Sequence, residues 1–298
     1  MAASGREAED LSAELTALLG DKVAYFPAWE TLPHERLSPA PDIVGKRAQV
    51  LDLVGAGKAQ VVVTSARGYC QPILSKVEGR APIFLKEEEE HEFSHVVSEL
   101  EFRAYKHVDM VAKRGEYATR GGILDIFPTT SDYPVRVEFW GDEITDIRQF
   151  SVADQRAIQE IEVGEVAIYP ARELPITNEV AARARDLAQK FGGNAALAEL
   201  LTKVGEHIPA EGMEALLPAL SDAPMITLPE FLRPSTHVVM VGPEKIRRRV
   251  ADLEKTDAEF LAAGWEAAAM GADGPLATEG LDTEASSYRS YESLEVSI

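Results

Sequence analysis

The chain has 298 residues, 45% of them apolar and 27% charged, a balance that suits two or three compact units and excludes wholesale disorder. A formal net charge of −20 excludes nucleic-acid binding by the average field, because phosphate recognition needs concentrated Lys and Arg. The sole cysteine, Cys70, excludes an internal disulfide and a cysteine-rich zinc site and reads as a small buried hydrophobe.

The stretch Met1–Leu15 lacks the charged and apolar regions of a signal peptide, and no apolar run is long enough to span a bilayer. The chain is therefore expected to be cytoplasmic, with no membrane partner. Leu11, Leu15 and Leu18 recur at helical spacing and predict a helix over Arg6–Leu19. A short strand over Val23–Phe26 and a proline-rich loop follow, then a helix over Asp42–Leu53. Val61, Val62 and Val63 form a β-branched run typical of a strand buried on both faces, and a helix is expected over Tyr69–Val77. This alternation is half of a parallel α/β sheet whose opening strand is missing.

After Glu87 the pattern changes. A polar helix is expected over His91–Leu100, followed by strands over His107–Val111, Gly122–Phe127, Val135–Trp140 and Ile144–Phe150. Short strands joined by turn residues such as Gly141-Asp142 read as an antiparallel meander. From Ala171 onward the chain is helical again, over Asn178–Phe191, Asn194–Leu201 and Pro243–Ala263, with one buried strand expected at His237–Val241. Gly271–Glu284 reads as a flexible loop, and Tyr288–Ile298 as the beginning of another strand. The domain boundaries expected are 1–84, 85–168 and 169–298.

Several motifs invite chemistry. His91, Glu92 and His95 match the H-E-x-x-H of zinc hydrolases, in which one helix face carries both imidazoles. The run Glu87–Glu90 before it and the absence of a third histidine at metzincin spacing favour a solvated helix instead. Gly55-Ala56-Gly57-Lys58 resembles the end of a phosphate-binding loop, yet Asp52 replaces the first glycine and Ala59 the final hydroxyl residue. It also follows a helix and opens a strand, the reverse of a P-loop. No catalytic residue, metal ligand or cofactor is expected in this chain.

Gly115–Phe150 is the most informative segment. If Gly122–Phe127 pairs with Val135–Trp140, Arg120 and Arg136 can present guanidiniums on one surface, and Arg136, Glu138 and Trp140 share a strand face. An arginine pair beside an exposed aromatic is the composition of a protein–protein hot spot. The alternative places Trp140 in the core and pairs the arginines with Glu138 or Asp142.

Three stretches carry a resemblance: Tyr25–Pro33 running on through Ser38-Pro39, Arg114–Pro128, and Arg136–Ile144 continued by Ile147-Arg148 and Asp154-Gln155-Arg156. Together they resemble the bacterial transcription-repair coupling factors, over nearly the whole chain. The second and third stretches are shared in outline with the damage-verifying protein UvrB. The loop around Trp29 stands where UvrB has a tyrosine-rich, DNA-engaging hairpin, so damage verification is not implied.

The resemblance implies an α/β fold: a degenerate P-loop-ATPase-like (UvrB-like) parallel sheet, split by an inserted, mostly antiparallel α+β domain that recruits UvrA. The UvrA-binding residues it implies fall on Arg120, Arg136 and Trp140, the last standing where another aromatic is common. It further implies that the family's proteins start earlier, with a strand and a Walker-like loop, and continue into an RNA-polymerase-binding domain and an ATP- and Mg-driven DNA translocase. The resemblance implies as well that in the full-length proteins a C-terminal domain covers the UvrA surface at rest.

Overall fold

The computed structural model describes residues 1–191, 193–269 and 284–292. In chain order the elements are α1 (Gly5–Leu19), β1 (Val23–Phe26), α2 (Pro41–Gly55), β2 (Val61–Thr64), α3 (Ala66–Cys70), β3 (Ile73–Leu74) and β4 (Ile83–Lys86). Then come α4 (Phe93–Phe102), β5 (Lys106–His107), β6 (Glu116–Arg120), β7 (Ile123–Ile126), β8 (Val135–Trp140), β9 (Glu143–Phe150), β10 (Ala157–Glu162) and β11 (Glu165–Ile168). The last part holds α5 (Asn178–Lys190), α6 (Ala195–Gly205), α7 (Leu217–Leu220), β12 (Met225–Ile226), α8 (Leu228–Phe231) and α9 (Pro243–Ala269). The chain forms two compact units: residues 1–39, 53–77 and 176–298, and residues 40–52 with 78–175.

In the first unit β1 and β2 pair in parallel, Val23 opposite Val61 through Phe26 opposite Thr64. Helix α1 covers them with Ala8, Leu11 and Leu15. Its start is set by a capping box: the Ser4 hydroxyl accepts from the Glu7 amide and the Glu7 carboxylate accepts from the Ser4 amide. Helices α3 and α9 enclose a second cluster of Tyr69, Cys70, Ile246, Val250 and Leu253, closed by Tyr288 and Tyr291. Burial pushes the Cys70 thiol up to about 12, so it stays a protonated, inert core group as expected.

Three expectations fail here, each for a physical reason. The helix expected over Tyr69–Val77 starts earlier and stops at Cys70: Ser65 caps it, accepting from the Gly68 amide, and Pro72 disfavours helical backbone at Gln71. Ile73-Leu74 then pairs antiparallel with Met225-Ile226. His237–Val241 forms no strand, and Val239 and Val241 are 70% and 50% exposed. Of the strand expected over Tyr288–Ile298, the described part, Tyr288–Glu292, is not strand, with both tyrosines turned into the α3–α9 cluster, and residues 293–298 lie outside the described residues. The loop expected at Gly271–Glu284 lies outside the described residues except for its last residue.

The second unit holds one six-stranded sheet in the order β10-β9-β8-β7-β6-β5, antiparallel throughout except for β5 beside β6. Strand β6 was hidden from sequence reading because Tyr117-Ala118-Thr119 sits inside a glycine-flanked stretch that reads as turn. Of the expected His107–Val111 strand only His107 lies in a strand, as the end of β5 beside β6. Helix α4 lays Val96 and Leu100 on the sheet, against Leu124, Ile126, Val137 and Ile147. Strands β4 and β11 form a separate antiparallel pair whose Leu85, Val166 and Ile168 join the same core.

Residues 40–52 of α2 complete this unit. A Cβ on Gly45 would lie 2.1 Å from the Thr129 hydroxyl, so only glycine lets the helix approach so closely. One turn on, the fully buried Arg47 donates from Nε to Glu173 at 2.6 Å.

Candidate functional site

The two faces of the six-stranded sheet differ in chemistry. From β8, Val135, Val137 and Phe139 enter the core while Arg136, Glu138 and Trp140 alternate on the opposite side. The register extends that second face across the sheet. Ala118, Asp125, Arg136 and Arg148 form one row, and Arg120, Ile123, Glu138 and Asp146 the next.

Within these rows the charges are mostly satisfied. Arg136 donates from Nε and Nη2 to the two carboxylate oxygens of Asp125, at 2.6 and 2.8 Å, and its guanidinium lies 5.1 Å from the Phe150 ring centroid. Hydrogen bonding to Asp125 raises the Arg136 pKa above its ordinary value, so the group is a permanent cation. Arg148 pairs with Glu138 and, at 2.8 Å, with Asp146. Arg120, at the end of β6, donates to the Asp109 carbonyl at 3.0 Å and stays exposed. A Cβ on the neighbouring Gly122 would meet the Phe139 carbonyl at 2.7 Å, so the turn after Arg120 packs against β8 only because it is glycine.

Trp140 is 81% exposed and ends β8 at the hairpin tip, opposite Glu143. Gly141 turns the chain with φ of +64°, and the tip is tied from outside. Glu90 bridges to Glu143, the His91 amide donates to the Asp142 carbonyl at 2.7 Å, and residues Glu88 and Glu89 bond to Ile144. The indole thus stands in water on a hairpin tip whose backbone is held from outside.

The structure thus places Arg120, Arg136 and Trp140 on one face of one sheet. It does not give the arginines equal standing: Arg120 offers its cation to solvent, whereas Arg136 is spent on Asp125 and holds the face together. The partner of Arg136 is neither Glu138 nor Asp142, because Asp125 stands directly across the ladder while Glu138 is taken by Arg148. Sequence reading missed Asp125 and Arg148, although the register of the Gly122–Phe127 and Val135–Trp140 hairpin would have exposed the first.

The His91-to-His95 motif does not form a zincin helix. Helix α4 begins at Phe93, with Glu92 in the N-cap position and His91 outside it, its ring 3.4 Å from the Glu89 carboxylate. The two histidines therefore do not sit one turn apart on a helix face. Phe93 meets Phe139 edge-on at 5.1 Å, which ties this segment to the back of β8. Among the described residues no group of three or more His, Cys, Asp or Glu is placed to hold a metal. Gly55–Lys58 joins α2 to β2 as a plain loop.

The family model of the UvrB interaction domain matches residues 83–174, the stretch that builds the sheet, α4 and the β4–β11 pair. The transcription-repair-coupling factor of Mycobacterium bovis is 47% identical over 281 residues, covering 90% of this chain and 23% of that protein. This chain is a relative of the transcription-repair-coupling factors. The coupling factor of Myxococcus xanthus is 30% identical over 246 residues, covering 79% of the chain and 20% of the relative. That of Escherichia coli is 33% identical over 164 residues, covering 54% and 14%. The chain spans less than a quarter of the length of these curated relatives. Its mixed α/β architecture agrees with a UvrB-like fold.

Proposed function

We propose that this chain is a partner-recruiting module of transcription-coupled nucleotide excision repair, and that its β-rich unit binds UvrA through the face bearing Arg120 and Trp140. The observation that carries the reading is the 81% exposed Trp140 on a braced hairpin, inside the segment matched by the UvrB interaction domain. Exposed aromatics flanked by arginine are what interface hot spots are made of. In this reading Arg136 positions the surface, and Arg120 and Trp140 make the contact. Binding UvrA would bring excision repair to a stalled RNA polymerase in the cytoplasm. ATP- and Mg-driven translocation on DNA, displacement of the polymerase and masking by a C-terminal domain belong, on the family resemblance, to segments other than this one. The chain itself is read as non-catalytic.

The test is binding of the chain to purified UvrA, by wild type and by Trp140→Ala and Arg120→Ala, singly and together. Loss of a hot-spot side chain costs about 2 kcal/mol, roughly thirtyfold in affinity. The double variant should lose at least that factor with its circular dichroism unchanged. A folded wild type that does not bind UvrA would refute the reading.

A further inference from the structure

The face bearing Arg120 and Trp140 is flanked by a loop, residues 108–113, that runs on from the edge strand β5 and lies over the sheet. Val108 and Val111 turn inward, onto Ala118, Phe127 and Phe150. Ala118 shares a row with Arg136, and Phe150 lies under the Arg136 guanidinium, so the loop covers the same side of the sheet. Its backbone is tied along its length. The Val108 amide donates to the Tyr117 carbonyl at 2.9 Å, Arg120 donates to the Asp109 carbonyl at 3.0 Å, and Gln155 donates to the Val111 carbonyl at 3.3 Å. The Ala112 and Lys113 amides both donate to the Glu116 carboxylate, each at 2.9 Å. Between the two buried valines Met110 stands 56% exposed, next in the chain to the carbonyl that holds Arg120.

The register orders the rest of the surface. Arg120 stands opposite Ile123, Ile123 opposite Glu138, and Trp140 follows two residues on along β8. At about 4.8 Å between strands and about 3.3 Å per residue, the Cα atoms of Arg120 and Trp140 lie roughly 12 Å apart. The loop lies beyond β6 from β7 and β8, so Met110, Arg120, the half-buried Ile123 and Trp140 succeed one another across the sheet. They form an apolar strip interrupted by one cation. That cation bonds a neutral carbonyl, and among the described residues no carboxylate pairs with it. At the far end of the strip the hairpin tip exposes Asp142 and Glu143.

We propose that Met110 is a second apolar anchor for UvrA, and that the UvrA segment it receives carries an acidic residue, flanked by apolar side chains, that pairs with Arg120. This rests on the reading of the face as the UvrA-binding surface. An unbranched, polarizable thioether adapts to the contour of a partner, and its loop is already ordered, so docking freezes little beyond the side chain. The carboxylates at the tip repel a partner's acid, which leaves Arg120 as its favourable place and so fixes the direction of docking.

The experiment measures binding of the full chain to purified UvrA for wild type, Met110→Ala, Met110→Leu and Met110→Asp, with Trp140→Ala beside them. Met110→Ala should weaken binding about tenfold, and Met110→Leu by less than about threefold, because it keeps the volume. Met110→Asp should weaken it most, since it sets a carboxylate beside Arg120. Thermal unfolding should be unchanged in all three, as the side chain is exposed. A benzophenone side chain in place of Met110 should photo-crosslink to a UvrA segment containing an aspartate or glutamate. Reversing that acid to arginine should abolish binding to the wild-type chain and restore it to Arg120→Glu. A wild type that does not bind UvrA, or a Trp140→Ala that binds as well as wild type, would remove the reading of the face and this proposal with it. If Trp140→Ala loses binding while Met110→Ala stays within about twofold of wild type, Met110 is no anchor and only this proposal falls. A crosslinked segment without an acid, or a charge swap that restores nothing, would overturn it equally.

Discussion

The two units put similar strand-forming sequence to different use. The β-rich unit joins six strands into one ladder, over a core that also draws on α4, β4 and β11. The other unit splits its strands into two separate pairs, β1–β2 and β3–β12, and divides its apolar residues between separate clusters. Strands that share a ladder and a core open together, whereas isolated pairs open one at a time. The β-rich unit should therefore be the more resistant of the two. Native-state hydrogen exchange in rising urea checks this: amides of β7 and β8 should outlast those of β1 and β2, and equal exchange would dissolve the contrast.

Substitutions sharpen it. The largest effect is expected from Arg136→Ala, which leaves Asp125 buried without its cation and should cost about 3–5 kcal/mol in urea unfolding of the β-rich unit. A loss below about 1 kcal/mol would mean that water reaches Asp125. Gly45→Ala, which drives a methyl into Thr129, should cost about 1–3 kcal/mol by overpacking the same unit. In the other unit Ser4→Ala removes half of a capping box and should cost about 1 kcal/mol, seen in the exchange of α1 and β1 but not of β8. The smallest effect belongs to Trp140→Ala, which should alter stability by no more than about 0.5 kcal/mol. A larger loss there would show that the indole packs, contrary to its exposure.

These magnitudes bear on how much could be read from residues alone. The period of two in Val135–Trp140 correctly put Arg136, Glu138 and Trp140 on the face away from the core, because alternation is a property of one strand. The partner of Arg136 was not legible, because it depends on the register with β7, which one strand does not contain. Burial of Trp140 was likewise undecided from sequence, since a tip and a core position look alike without the turn at Gly141 being set against residues 88–91. The segment 237–241 shows the converse: its residues favour a strand, but pairing is a property of two backbones, and among the described residues no strand pairs with it.

The braced tip also separates how fast a partner would arrive from how long it would stay. Arg120 is a solvated cation on a chain of net charge −20, so its pull is local, felt within a Debye length of roughly 10 Å. The hairpin tip that carries Trp140 is already held by Glu90 and His91 through Glu143 and Asp142, so docking would freeze little beyond the ring. Added salt should then leave the residence time, set by the indole, almost unchanged.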